Sequence, residues 1–419
     1  MNSPAEPTDM VVALPHLQPV LKALDEARAR STDGALYGDP KTSDMLQLAL
    51  LPLPDPARAA RDLRAWSEKQ STAERPRPVG DRPAPGSDRP PLDHVLWHLR
   101  AGFAAQYHGW TPTLGKNRAV GEVQGGQRPE PGGVSGAGEV SHGGGGAPRA
   151  IDEPTWAKER RTVSPNGVCV ALVDTPVVAH QYLAGAWTGP SPDLPDGPMR
   201  AEHGHATFIA GLVRRYAPAA TLQVHPVLDP SGNADAWAAA HQIVAAGRAG
   251  ADVLNLSFVC YTDDGVGPLV LAAALERLSS KTVVVAAAGN HGFLGNGGKY
   301  RPAFPAAFPN VIAVGADGAG FSAEGAWITV LAPGTDLEST YLDGTVSVWK
   351  DPDGPGPALP ERHDETFRGY ARWSGTSFAA ARVSAMIAER TVPGRRTAAE
   401  AAARLLGPEA MVGIPVRLP

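Results

Sequence analysis

At 419 residues the chain has room for one large domain and a smaller companion, and its 43% hydrophobic content is that of an ordinary globular protein. A formal net charge of −5 excludes a strongly basic surface, and no apolar run reaches the roughly 20 residues of a membrane span, so neither nucleic acid nor a bilayer is expected as a partner. Met1–Met10 lacks the basic and apolar regions of a secretory signal, and the two cysteines, Cys169 and Cys260, lie in or beside apolar runs; both features lead us to expect a cytoplasmic protein with reduced, buried thiols.

In chain order, Met10 to Arg30 reads as a helix on the spacing of Val11, Leu14, Leu17, Leu21 and Leu24. Met45 to Leu53 is a short apolar run, expected as a strand. Asp55-Pro56 then opens a helix to about Lys69, with Asp as cap and Pro in the first turn. Arg75 to Pro91 is Pro- and Arg-rich and reads as extended linker, and Pro91 to Tyr107 as a second amphipathic helix. From residue 119 to 150 the chain is Gly-rich and poor in apolar side chains, which implies a flexible, protease-sensitive linker between residues 1–118 and 151–419.

After Ile151 strands and helices alternate. Gly167–Val173, Thr221–Leu228, Asp252–Val259, Lys281–Ala288, Val311–Gly315 and Trp327–Leu331 read as strands. His205–Arg215, Ala234–Ala249, Val266–Leu278 and Phe378–Arg390 read as helices. Continuous apolar strands separated by helices imply an α/β fold with a mostly parallel sheet covered on both faces. Ligands of such sheets gather at the carboxyl ends of the strands. Asp336 to Gly369 reads as a surface excursion containing the acidic, Pro-rich run Asp351–Pro357.

Four stretches carry chemistry. Gly375-Thr376-Ser377 turns into a small-residue helix, which puts Ser377 where free N–H groups and the positive end of the helix dipole gather. An ordinary N-cap has the same appearance. Asp174 follows the apolar run Val170–Val173, as a turn Asp would, or as a carboxylate that orients an imidazole. His205 opens the helix Ala206–Gly211, with His203 two residues away as the competing base. Asn290 follows Val283–Gly289 and is either a turn residue in Asn-His-Gly or an amide offered to an oxyanion.

In these stretches and in their order the chain resembles the subtilisin-like serine proteases, the subtilase (peptidase S8) family, from about Val163 to Arg390. Further likeness lies in Tyr216–Leu222 with Val227–Gly232, Asp252–Ser257, Phe304–Ala316 and Phe321–Thr335. The resemblance implies a subtilisin-like three-layer fold, preceded by a small, mainly helical N-terminal region. It implies a serine endopeptidase acting on proteins or peptides, without a cofactor. Asp174, His205 and Ser377 would be the triad and Asn290 the oxyanion donor. Ser257, Phe258, Val259, Ala288 and Gly289 would form the substrate cleft. Residues 1–118 would be a regulatory region or propeptide, with the chain's own N-terminal part as a candidate inhibitor.

The chain departs from the family at several points. Pro176 follows Asp-Thr where Gly is usual, Ala206 replaces Gly after the histidine, and Ala381 replaces Pro in the serine helix. Phe258, Val259 and Cys260 stand where glycines normally follow Ser257, which alters the pocket for the residue before the scissile bond. Between Ala210-Gly211 and Ala217-Pro218 there is no room for the family's common calcium loop, so the resemblance implies no metal. A catalytically impaired, peptide-binding chain with the same fold is the alternative that these changes leave open. An acid-acting carboxyl–serine peptidase shares the Ser-Gly-Thr-Ser stretch, but the His205 helix and Asn290 argue against it.

Overall fold

The computed structural model describes residues 8–28, 34–70, 84–122, 146–158, 165–190, 192, 194, 197–262, 264–293, 297–349, 362–407 and 415–419. Two compact units emerge: one from Met1–Ala119 with Pro268–Ala273, the other from most of the chain beyond Val120.

The N-terminal unit runs β1 (Asp9–Ala13), α1 (Leu14–Arg28), β2 (Lys41–Ser43), β3 (Leu48–Pro52), α2 (Pro56–Gln70), α3 (Pro91–Gln106) and β4 (Leu114–Lys116). Its helices hold more residues than its strands, and they share one core with an antiparallel sheet of order β2-β3-β1-β4. The helix expected from Met10 therefore begins only at Leu14. Met10, Val11 and Val12 are fully buried and pair with β3 on one side and β4 on the other, and the two β-branched valines suit that pleated site. Asp55 caps α2 as expected, its Oδ1 accepting the Arg58 N–H at 2.8 Å. Inside this unit Lys116, almost fully buried, pairs with Asp93 at 2.6 Å.

The second unit begins with β5 (Ala119–Glu122), β6 (Arg149–Ala150), α4 (Thr155–Lys158), β7 (Cys169–Asp174), β8 (Trp187–Thr188), β9 (Met199–Arg200) and α5 (His205–Tyr216). It continues with β10 (Thr221–Pro226), β11 (Asn233–Asp235), α6 (Ala236–Arg248), β12 (Val253–Leu256), β13 (Phe258–Tyr261), the end of α7 (Leu269–Glu276, whose residues through Ala273 belong to the first unit), β14 (Val283–Ala287) and β15 (Ala303–Phe304). It ends with β16 (Ile312–Ala316), β17 (Val330–Ala332), β18 (Leu337–Trp349), β19 (Arg362–Trp373), α8 (Thr376–Arg390), α9 (Ala398–Leu406) and β20 (Val416–Arg417).

Its centre is an eight-stranded sheet of order β20-β17-β16-β14-β12-β7-β10-β8, with every recorded pairing parallel. Val170, Leu172, Val253 and Val285 share a core with α5, α8 and α9. The alternate residues Ala171, Val173, Leu254 and Ala286 are equally buried, and α6 packs against β7, β10 and β12. Burial on both faces is what continuous apolar strands require.

Three departures from the sequence reading bear on the site. The strand expected over Asp252–Val259 breaks at Ser257: β12 stays in the parallel sheet, and β13 turns away into a second sheet of order β11-β5-β13-β15. Of the stretch read as linker, Ala119–Glu122 and Arg149–Ala150 are strands, and 123–145 lies outside the described residues. The excursion after Asp336 is a long antiparallel hairpin, β18–β19, joined to β6 and β9. The Pro-rich run at 351–357 lies outside the described residues.

Candidate active site

Three neighbouring parallel strands deliver the site. β7 ends on Asp174, β12 ends just before Ser257, and β14 ends just before Ala288-Gly289-Asn290, all at the carboxyl edge of the sheet. α5 brings His205 and α8 brings Ser377 from one side, packed through Phe208 and Phe378, whose rings lie 4.4 Å apart.

Asp174 and His205 are both fully buried, and the His205 Nδ1 lies 2.8 Å from Asp174 Oδ1. A carboxylate only accepts, so Nδ1 carries the hydrogen and Nε2 is the basic nitrogen. The same Oδ1 accepts the Thr175 N–H at 2.7 Å and the Thr175 hydroxyl at 3.2 Å. Thr175 Oγ1 in turn accepts the Ala206 N–H at 3.1 Å, which ties the end of β7 to the first turn of α5. His203 points elsewhere: its Nδ1 accepts the Arg200 N–H at 3.1 Å, in a cap of the short helix before α5. Pro176 and Ala206 are accommodated beside this pair, with Ala206 and the following Val177 fully buried.

Ser377 is fully buried in the first turn of α8. Its hydroxyl donates to the Ser257 carbonyl at 3.4 Å. Beneath it runs a buried polar chain that motif reading missed. The Ser384 hydroxyl donates to Asn255 Oδ1 at 3.0 Å, Asn255 Nδ2 donates to Ser257 Oγ at 2.8 Å, and Ser257 Oγ donates to the Ser377 carbonyl at 3.3 Å. The only hint in the sequence was a polar residue, Asn255, inside an otherwise apolar strand.

Asn290, 1% exposed, accepts on Oδ1 from both the N–H and the hydroxyl of Thr376, each at 3.0 Å. The amide nitrogen is thereby directed at the Gly375 corner, 3.4 Å from where a β-carbon on Gly375 would stand. The Thr376 hydroxyl also accepts the Gly289 N–H at 3.1 Å. Gly289 has φ +101°, a conformation only glycine adopts readily, and Ala288 is fully buried beside it.

Phe258 and Val259, expected from the sequence to line a substrate cleft, lie on β13, buried and paired antiparallel with the chain's own β5: Phe258 faces Glu122, and Val259 faces Gly121. β11 flanks β5 on its other edge. An extended segment thus lies between two strands beside Ser377, as a peptide in β-augmentation does. At the far end of β13 the Tyr261 hydroxyl lies 2.8 Å from His291 Nδ1, and His291 Nε2 lies 3.0 Å from the Arg301 carbonyl. Burial pushes the His291 pKa down to about 4, which keeps the ring neutral at physiological pH. Nε2 then donates to Arg301 and Nδ1 accepts from Tyr261. Burial pushes the Cys169 thiol up to about 12, so that thiol is inert. Among the described residues, no group of three His, Cys, Asp or Glu side chains could hold a metal ion.

Comparison with known proteins agrees with this architecture. Residues 165–393 match the family model of the subtilase family. Subtilisin Savinase of Lederbergia lenta is 32% identical over 207 residues, covering 45% of this chain and 72% of that protein. The alkaline protease of Shouchella clausii is also 32% identical over 207 residues, covering 45% of this chain and 51% of that protein. Among solved structures, fervidolysin of Fervidobacterium pennivorans, a keratinolytic enzyme related to subtilisin, superposes with a TM-score of 0.50 at 17% identity. That match spans 93% of this chain and 55% of fervidolysin, a likeness of fold. With its family model covering over half of the chain, this protein belongs to the subtilase family of serine peptidases.

Proposed function

We propose that the chain is a serine endopeptidase in which Asp174, His205 and Ser377 form the triad and Asn290 the oxyanion site, held latent by its own N-terminal part. The observation that carries the catalytic reading is the buried 2.8 Å contact of His205 Nδ1 with Asp174, on strand and helix ends that converge with Ser377. His205 Nε2 takes the Ser377 proton as Oγ bonds to the substrate carbonyl carbon. The oxyanion is met by the Asn290 amide and the Ser377 N–H, at the positive end of α8. As the C–N bond breaks, His205 returns the proton to the leaving amine, and water then hydrolyses the acyl-enzyme by the same route. A donor such as Asn290 contributes roughly 2.7–4 kcal/mol to the transition state.

The ladder of β5 on β13 supports the latent state, because the segment leaving the N-terminal region occupies the backbone positions a substrate needs. Protein or peptide is the substrate class. Both cysteines are free, in keeping with a reducing compartment as the working environment.

Intact mass before and after a fluorophosphonate probe tests the reading, with Ser377→Ala alongside. One adduct on the wild type and none on the variant is the expected result. Wild-type chain that takes up no probe, either as purified or after limited trypsin digestion, would favour a peptide-binding protein without catalysis.

A further inference from the structure

Register on β13 defines which substrate side chain meets which wall. Gly121 faces Val259 and Glu122 faces Phe258, so the next residue of any strand bound in this register faces Ser257. The Ser257 carbonyl is where the Ser377 hydroxyl rests, 3.4 Å away. A residue facing Ser257 therefore presents its carbonyl to the serine and is the residue before the scissile bond. Directly paired residues of antiparallel strands put their side chains on the same face, and alternate residues share it. The side chain in question consequently enters on the face that carries Val259 and Tyr261.

That face is already filled. Val259 is 1% exposed and Tyr261 6% exposed, and both belong to the main core. The Tyr261 ring crosses toward the opposite wall: a β-carbon on Gly289 would stand 2.7 Å from the Tyr261 hydroxyl and 2.7 Å from His291 Nδ1. Both ends of the pair are fastened, Tyr261 to His291 and His291 to the Arg301 carbonyl. Behind them Tyr261 pairs with the buried Ala303 of β15, which closes the far end.

We infer that Val259 and the Tyr261–His291 pair fill the slot for the side chain before the scissile bond, and that this peptidase cleaves after small residues. The inference rests on the peptidase reading above. Excluding a large ring from a slot of this kind is a matter of packing, and a change of one or two carbons in an apolar pocket already discriminates about 10- to 200-fold. Removal of the Tyr261 ring opens space next to Gly289.

Peptidyl diphenyl phosphonates ending in alanine or phenylalanine analogues test it, read as the rate of mass gain at Ser377, next to a simple fluorophosphonate. The wild type is expected to react at least ~10-fold faster with the alanine probe, Tyr261→Ala to lose or reverse that ratio, and Tyr261→Phe, which keeps the ring, to preserve it. A wild type that prefers the phenylalanine probe overturns the inference with no variant needed, and so does an unchanged ratio in Tyr261→Ala. Reaction with the fluorophosphonate but with neither peptidyl probe, on the intact chain and also in Gly121→Pro and after limited trypsin digestion, overturns it while leaving the peptidase reading intact. No adduct from any of the three, on the intact chain or after limited trypsin digestion, overturns both.

Discussion

Asn290 Oδ1 receives two hydrogen bonds from one residue, the N–H and the hydroxyl of Thr376, each 3.0 Å long. The second fastens an amide on the β14 edge to the first turn of α8, where Ser377 stands, and the same hydroxyl accepts the Gly289 N–H. Thr376→Val keeps the shape and the N–H bond but removes both hydroxyl contacts. A lost bond to a buried polar group costs about 1–3 kcal/mol, which in the transition state is a fall in kcat of about 5- to 150-fold. In the proposed oxyanion role the amide acts on the transition state, so KM should change little. Steady-state kinetics with a peptide ester checks this, and an effect confined to KM would mean that Thr376 shapes the cleft instead.

Asp174→Asn addresses the imidazole. The buried pair holds the hydrogen on His205 Nδ1; an amide there can donate instead and reverse the tautomer. With Asp174 in its proposed triad role, a fall in kcat of about 10⁴ is expected. The loss should ease as pH rises, because hydroxide can replace the missing base. A kcat–pH profile of the variant checks this, and a drop of less than tenfold would remove Asp174 from the mechanism.

Part of this was legible before any fold was known. Continuous apolar runs leading into Asp174, Ser257 and Asn290 announce parallel strands, and the carboxyl edge of such a sheet gathers the residues at each strand's end. β1 was hidden because Met10–Val12 runs directly into Leu14, with Leu17, Leu21 and Leu24 continuing a helical spacing. The β18–β19 hairpin was hidden by the Pro-, Gly- and Asp-rich sequence at 351–357, which outweighed the short alternation of Val346 and Val348 among Thr345 and Ser347. β5 carries no signal at all: Ala-Val-Gly-Glu becomes a strand because β13 and β11 flank it, a tertiary cause that no window of sequence contains. Tyr261 and His291 escaped notice for a similar reason, lying 30 positions apart and meeting only across the cleft.

The β5 ladder makes a prediction about latency. Proline cannot donate to a ladder, and it fixes φ. Gly121→Pro should therefore weaken the pairing with Val259 and raise the rate of fluorophosphonate labelling at Ser377 by at least about tenfold, the effect of ~1.4 kcal/mol of lost pairing. Ser377→Ala carrying the same change must remain unlabelled. Equal rates in Gly121→Pro and wild type would separate β5 from control of the serine.

The neutral histidines set a direction for stability against pH. Burial lowers the pKa of His291 to about 4, and burial first, then the neighbouring His94, lowers that of His98 to about 4. Each group binds a proton more weakly in the folded chain than in the unfolded one, where the value is 6.5. The unfolded state therefore holds more protons between those values, and stability rises with pH there. Their contribution is complete above pH 6.5, is lost as pH falls from 6.5 toward 4, and changes no further below 4. Carboxylates add their own acid slope, so the informative quantity is a difference. The urea midpoint of His291→Gln should fall less than that of the wild type between pH 7 and pH 5, because glutamine holds no proton to gain. Parallel falls in the two proteins would mean that His291 is protonated in the folded chain, and the Tyr261 hydroxyl would then have no acceptor at Nδ1.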